Sequence, residues 1–370
     1  MIRKDPPETS GAVIKRARTA SPTNEQQLII SAGNNEKEQG LIRTVTRTSG
    51  LDAPIVSLAG AHGAEILSCR FDPSGQNIAA VSADRTVSLW RTYPPNTNYG
   101  QLTGLHKSAI VDVQWSLLST SLYTVGADGN LCISDVATGE RVKRIKAHRG
   151  VINGLDRIAT GGTELLVTGG DDGHVRIWDV GSDGQGEDAK EPIKEWKIGF
   201  PVTAVAWSAD GSQVYIGGLD NCIHIYDLRT EERLHVLKGH VDTPTSITLS
   251  PGQGNYILTP SFSSVALIHD IRPFSPHPHR IYRQLHGAPA GFESVLSRGA
   301  WSKFDGGKKV AIGGADRAVT VWDVESGRIL YKLPGHKGTV TCVEFHPREP
   351  IVLTGSKDGT MLLGEIDPNL

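Results

Sequence analysis

An aspartate stands six residues before a tryptophan at Asp84 and Trp90, at Asp172 and Trp178, and at Asp316 and Trp322. The same offset links Asp128 to Ser134, Asp220 to Tyr226, Asp358 to Gly364 and, in a degraded copy, Ser263 to His269. The seven central positions are separated by 44, 44, 48, 43, 53 and 42 residues. Each copy reads as a buried run ending in small residues, a tight turn, and a strand such as VRIWD, in which Val175 and Ile177 share one face and Arg176 takes the other. A unit of this length cannot bury its own apolar faces and must stack on its neighbours. Seven such units predict an all-β, seven-bladed propeller.

The repeat accounts for residues 51–370, and the first 50 residues stand apart as a polar segment without sustained periodicity, expected to be disordered alone. Closure is the next constraint. The last copy supplies only three strands before Leu370, and APIVSLAG near the start supplies the missing one, so Pro54 to Ala59 is expected to be the outer strand of the last blade. The first strands of the blades (ILSCRF, IVDVQW, VTAVAW, VTCVEF) are apolar enough to be buried on both faces. Gly126, Gly170, Gly218 and Gly314 fit close blade packing and the turn that follows.

Three longer connections, Arg91 to Asn98, Gly181 to Glu191 and Ile271 to His279, all join a third strand to a fourth and so are expected on one face as a partner surface. Another, His286 to Arg298, enters the sixth blade on the opposite face. Lys and Arg number 38 and Asp and Glu 40, a net charge of −2 that points to neither nucleic acid nor an anionic membrane. The first 50 residues hold eight basic and five acidic residues, net +3, which leaves −5 for the rest. Within them Lys15, Arg16 and Arg18 beside Ser21-Pro22 form a candidate nuclear-import signal or a phosphorylation site. No apolar run of about 18 residues and no apolar signal core is present, so an intracellular, soluble protein is expected. Cys69, Cys132, Cys222 and Cys342 are isolated from one another, three of them at equivalent strand positions of different repeats. They read as reduced packing residues, not as a disulfide framework or a zinc site.

His62, Ser82, Asp84 and Trp90 could suggest nucleophilic catalysis, but His106 with Asp128, His148 with Asp172 and His336 with Asp358 repeat the pair at spacings of 22 to 24 residues. One active site does not need several copies, so the set reads as a structural hydrogen-bond network tying turn to turn within each blade. Trp178, Asp220, His240, Asp316, Trp322, Ser356 and Asp358 belong to the same network. It is unevenly kept: the fourth blade lacks a leading histidine, the fifth has Ser263 for aspartate, and the seventh has Gly364 for tryptophan. His277-Pro278-His279 lacks a third metal ligand, and no phosphate-binding loop or zinc-protease motif occurs, so neither metal nor cofactor is expected. Arg141, Lys143, Arg144, Lys146 and Arg149 are candidate contacts for RNA phosphates or an acidic partner. The competing reading is a charged edge strand that prevents sheet-to-sheet aggregation.

Over roughly Ala53 to Ile366 these repeats resemble the WD-repeat family. APIVSLAG, GERVKRIKAH, DIRPF, RILYKLPGH and the terminal EPIVLTGSKDGTMLLGEI are similar to its U5 small nuclear ribonucleoprotein branch. The resemblance implies a nuclear, non-enzymatic scaffold of pre-mRNA splicing, a monomer within a large complex that binds the large U5 scaffold protein and other spliceosomal proteins, with U5 snRNA a further candidate contact. It implies no membrane, no small-molecule substrate and no cofactor. The rival readings are an adaptor for peptides or histone tails, or a substrate receptor of a ubiquitin ligase, either of which calls for a deep acidic or arginine-binding central pocket.

Overall fold

The computed structural model describes residues 47–181, 191–293 and 295–368. Over them the chain forms seven four-stranded antiparallel sheets, each built from consecutive strands except one. That one takes Val340–Phe345, Ile351–Ser356 and Met361–Glu365 from the C-terminal end and Ile55–Leu58 from the N-terminal end. Ile55 pairs with Gly364 and Leu58 with Met361, so the seven-bladed propeller closes as the incomplete last repeat requires. The docked chain begins earlier than Ala53: the amides of Thr48 and Ser49 donate to Glu365 Oε1 at 2.8 and 2.9 Å, and Leu51 is buried. Lys15, Arg16, Arg18 and Ser21 lie outside the described residues, as does most of the 181–191 connection.

Apolar burial sits between the blades. Seven clusters of buried residues occur among the described residues, one for every pair of adjoining blades, the seventh and first included. Trp90, Trp178 and Trp322 each pack into the cluster shared with the preceding blade, which is why the aromatic recurs with the repeat. Five first strands carry a register shift after their first residue, at Ile66, Ile110, Ile152, Val202 and Val340. Such a bulge adds local twist where strands crowd round the axis. In the fifth and sixth blades the first strand shrinks to Thr248–Leu249 and Ala300–Trp301.

Ring closure corrects one expectation. Cys69 is the fourth residue of the first strand of the first blade and Cys342 the third of that of the last blade, so they do not hold the equivalent positions expected, yet their sulfurs lie 3.2 Å apart and the two thiols are not isolated from one another. Cys132 lies in a third strand and Cys222 just before one; all four are free.

Candidate interaction surface

On the face where fourth strands lead into the next blade, four blades carry a complete pairing of a leading histidine with a turn aspartate. His62 meets Asp84 at 3.1 Å, His106 meets Asp128 at 3.0 Å, His148 meets Asp172 at 2.8 Å and His336 meets Asp358 at 3.3 Å. Each aspartate also accepts the backbone amide that follows the histidine. Gly126 and Gly170 make room for this: a Cβ at either would lie 2.8 Å from the Nδ1 of His106 or His148. Burial holds these imidazoles below the ordinary histidine value against the pull of their aspartates. Burial also works to raise the four aspartates, yet their hydrogen bonds outweigh it and hold them low. Neutral imidazole beside ionised carboxylate is a fixed hydrogen bond, with Nδ1–H donating and Nε2 left to accept.

The hydroxyl that meets Nε2 is not the serine expected from sequence. Ser82 and Ser356 instead accept the amides of Asp84 and Asp358 inside their turns. The partner is a threonine of the second strand: Thr124 at 3.0 Å, Thr168 at 2.9 Å, Thr354 at 2.7 Å and, for His240, Thr259 at 2.7 Å. In the first blade that position is Ala80, and the hydroxyl has moved to its cross-strand neighbour Ser88, 2.7 Å from His62. The indole N–H of Trp90 donates to Ser88 and that of Trp178 to Thr168.

The same cross-strand pair explains the irregular blades. In the fourth it is Ile216 with His224, and His224 bonds Asp220 at 2.7 Å from the third strand, with the ring of Phe200 against it. In the fifth, His240 faces His269 at 5.7 Å, and Ser263 bonds Ser261. In the sixth, Asp316 pairs with Lys332 and Trp322 donates to the carbonyl of His286. The basic strand is largely spent within the molecule. Arg144 pairs with Asp128 at 3.0 Å, Lys146 donates to the Asp128 carbonyl, and Arg141 donates to the carbonyls of Gly104 and Leu105. Lys143 is half-buried and Arg149 exposed.

Along the axis, Arg298 was invisible to repeat reasoning. It hangs from the seventh blade through its amide, which donates to Thr341, and reaches across to Asp112 at 2.8 Å and to the carbonyls of Val111 and Asn153. It lines two cavities, one of about 280 Å³ beside Glu65, Val111 and Lys357, and one of about 490 Å³ at the other end. The larger holds Arg70, Arg157, Arg298 and Lys303 against Asp156 and Glu344, so it is not the acidic pocket that a reader of basic tails needs. His277 lies 3.9 Å from Asp270, and no group of three or more metal-binding side chains occurs among the described residues.

The profile for the WD domain, G-beta repeat, matches residues 53–91 and 327–363, the two ends that meet at closure. That for the N-terminal domain of nucleolar protein 10-like proteins matches residues 77–270. The chain is 37% identical to the pre-mRNA-splicing factor cwf17 of Schizosaccharomyces pombe over 359 residues, covering 97% of both chains. It is 38% identical to the U5 small nuclear ribonucleoprotein 40 kDa protein of Dictyostelium discoideum, over 93% of this chain and 92% of that one. The chain belongs to the U5 40 kDa WD-repeat family. The human U5 40 kDa protein is 38% identical over 86% of each chain. Within this U5 40 kDa fold, the four complete histidine–aspartate pairs face their own blades.

Proposed function

We propose that this protein is a non-enzymatic scaffold subunit of the U5 small nuclear ribonucleoprotein, acting in nuclear pre-mRNA splicing. The observation that carries this reading is the end-to-end likeness to the pre-mRNA-splicing factor cwf17, which covers 97% of both chains. The repeated histidine–aspartate pairs support a structural role: four copies closed on their own blades present no single reactive nucleophile. The partner proposed is the large scaffold protein of U5, met through propeller faces and long connections, among which Phe274 is almost fully exposed. Protein contact is favoured over direct RNA contact because three of the five basic residues on and beside the Arg141–Lys146 strand already have partners in their own blade. Affinity purification from nuclear extract tests this. U5 RNA and the large scaffold protein are expected to remain bound at high salt, and recovery of neither refutes the reading.

A further inference from the structure

The first and last blades come from opposite ends of the chain and meet at the seam where the ring closes. Across that seam the Thr341 hydroxyl lies 2.5 Å from the Ile66 carbonyl, and Glu344 accepts the Phe71 amide at 2.6 Å. Between these two contacts lie Cys69 and Cys342, 273 residues apart in sequence, with their sulfurs at 3.2 Å. Because they stand one residue out of step in their first strands, their side chains leave opposite sheet faces and so meet across the seam, in one buried cluster. Gly355, the cross-strand neighbour of Cys342, leaves room for the pair: a Cβ there would lie 2.6 Å from Cys342 Sγ and 3.5 Å from Cys69 Sγ. Cys132, also buried, donates to the Leu105 carbonyl instead.

The two thiols are not alike. Burial, and next the hydrogen bond with Cys342, push the Cys69 thiol well up. In Cys342 burial works in the same direction, but the hydrogen bonds of Cys69 and Thr341 and the charges of Arg298 and Arg70 outweigh it and hold that thiol below its ordinary value. Cys69 is therefore the donor of the pair, and Cys342 carries the more nucleophilic sulfur.

We propose that this pair is an oxidation site at which hydrogen peroxide converts the two thiols into a disulfide that closes the ring covalently. The Cys342 sulfur attacks one peroxide oxygen, the O–O bond breaks, and the leaving hydroxide takes the Cys342 proton to form water, which leaves Cys342 as a sulfenic acid. The Cys69 sulfur then attacks Cys342 Sγ, the S–O bond breaks, and the departing hydroxide leaves as water with the Cys69 proton. The sulfurs give up two electrons, so two thiols and one peroxide become one disulfide and two waters. Neither residue is more than 2% exposed, so the first step belongs to a local opening of the seam and the second to its reclosing. The inference is independent of the splicing role, since it concerns the isolated chain.

The test treats the full, reduced chain with hydrogen peroxide, blocks the remaining thiols with N-ethylmaleimide in denaturant, and maps the peptides by mass spectrometry without reductant. A peptide pair joined through Cys69 and Cys342 is expected, lighter by two hydrogens and split by dithiothreitol. The same treatment in denaturing urea should not yield it, because 273 residues then separate the thiols. Closing so long a loop should raise the melting temperature by about 3–6 °C, a gain that dithiothreitol abolishes. Cys69→Ala, once its own melting curve shows that it folds, should leave Cys342 as a sulfenic acid trapped by dimedone, with no such gain. Free Cys69 and Cys342 after the more exposed Cys222 has been oxidised overturn the proposal. So does a link that forms as readily in urea, and so does one that leaves the melting temperature unchanged.

Discussion

Replacing Ser88 by alanine separates the hydrogen-bond network seen in the structure from the one the sequence suggests. Ser88 Oγ donates to or accepts from two buried groups, His62 Nε2 at 2.7 Å and Trp90 Nε1 at 2.9 Å, and the His62 side chain is 1% exposed. Ser88→Ala leaves an acceptor and a donor without partners, at about 1–3 kcal/mol for each such group, so about 3 kcal/mol in total. Ser82→Ala removes only the acceptor for the Asp84 amide, costing about 1 kcal/mol. The described part of the folded unit runs from Thr48 to Pro368. With an unfolding entropy of about 2 cal/mol/K per residue, roughly 320 residues shift about 1.5 °C per kcal/mol. Differential scanning calorimetry should therefore find Ser88→Ala lower by about 4–5 °C and Ser82→Ala by about 1–2 °C. Adding Ala80→Thr to Ser88→Ala restores the second-strand hydroxyl used by the second, third and seventh blades, and should recover more than half of the loss. The reasoning is refuted if Ser82→Ala is the more damaging change, or if Ala80→Thr deepens the loss.

Deleting Ala53 to Gly60 removes the closing strand and the buried Leu58, at about 1.5–3 kcal/mol for that side chain alone besides four residue pairs, and calorimetry should show a far larger fall in melting temperature than deletion of residues 1–46. Equal melting temperatures would count against closure. Burial, and next the charge of His269, hold His240 down at about 3, while burial holds His269 at about 4. Both lie below the ordinary histidine value, so their stabilising contribution is complete above about pH 6.5 and is lost as pH falls toward the folded values, about 2 kcal/mol for each at pH 5. Stability should thus drop between pH 7.5 and 5, and His269→Tyr, which supplies the residue the fourth blade has there, should make the drop smaller; an unchanged pH profile in urea titrations counts against it. Arg144→Ala should lower stability by about 1 kcal/mol through its partly exposed pair with Asp128, and leave oligouridylate affinity in filter binding unchanged; a loss of RNA affinity without loss of stability reverses that assignment.

The repeat, the number of blades and the closing strand were legible because they rest on period and on burial, both of which act locally along the chain. The hydroxyl partner was misassigned because proximity in sequence favoured Ser82, whereas the network uses a cross-strand pair. A signal existed: Thr124, Thr168 and Thr354 occupy the place of Ala80, and Ser88 shares a strand face with Trp90 two residues on. His224 at the third-strand member of that same pair marks how the fourth blade manages without a leading histidine. The meeting of Cys69 and Cys342 was less legible, because the two stand one residue out of step in first strands that become neighbours only once the ring closes.

Arg298 had no such signal. No other blade has a counterpart to it, and its partners Asp112, Val111 and Asn153 belong to the second and third blades while its backbone is held by the seventh. A side chain that crosses the axis obeys no repeat rule, so only the closed ring reveals it. The same holds for Arg70, Gln114, Asp156, Ala206, Thr248, Ala300 and Glu344 round the axis: each is the pleat-equivalent residue of its first strand, yet the seven differ in charge and size. The tryptophans of the first, third and sixth blades each pack on the blade before, whereas the residues round the axis show no such recurrence. The axis is therefore one place where the seven blades differ in charge, from Arg70 to Asp156 and Glu344.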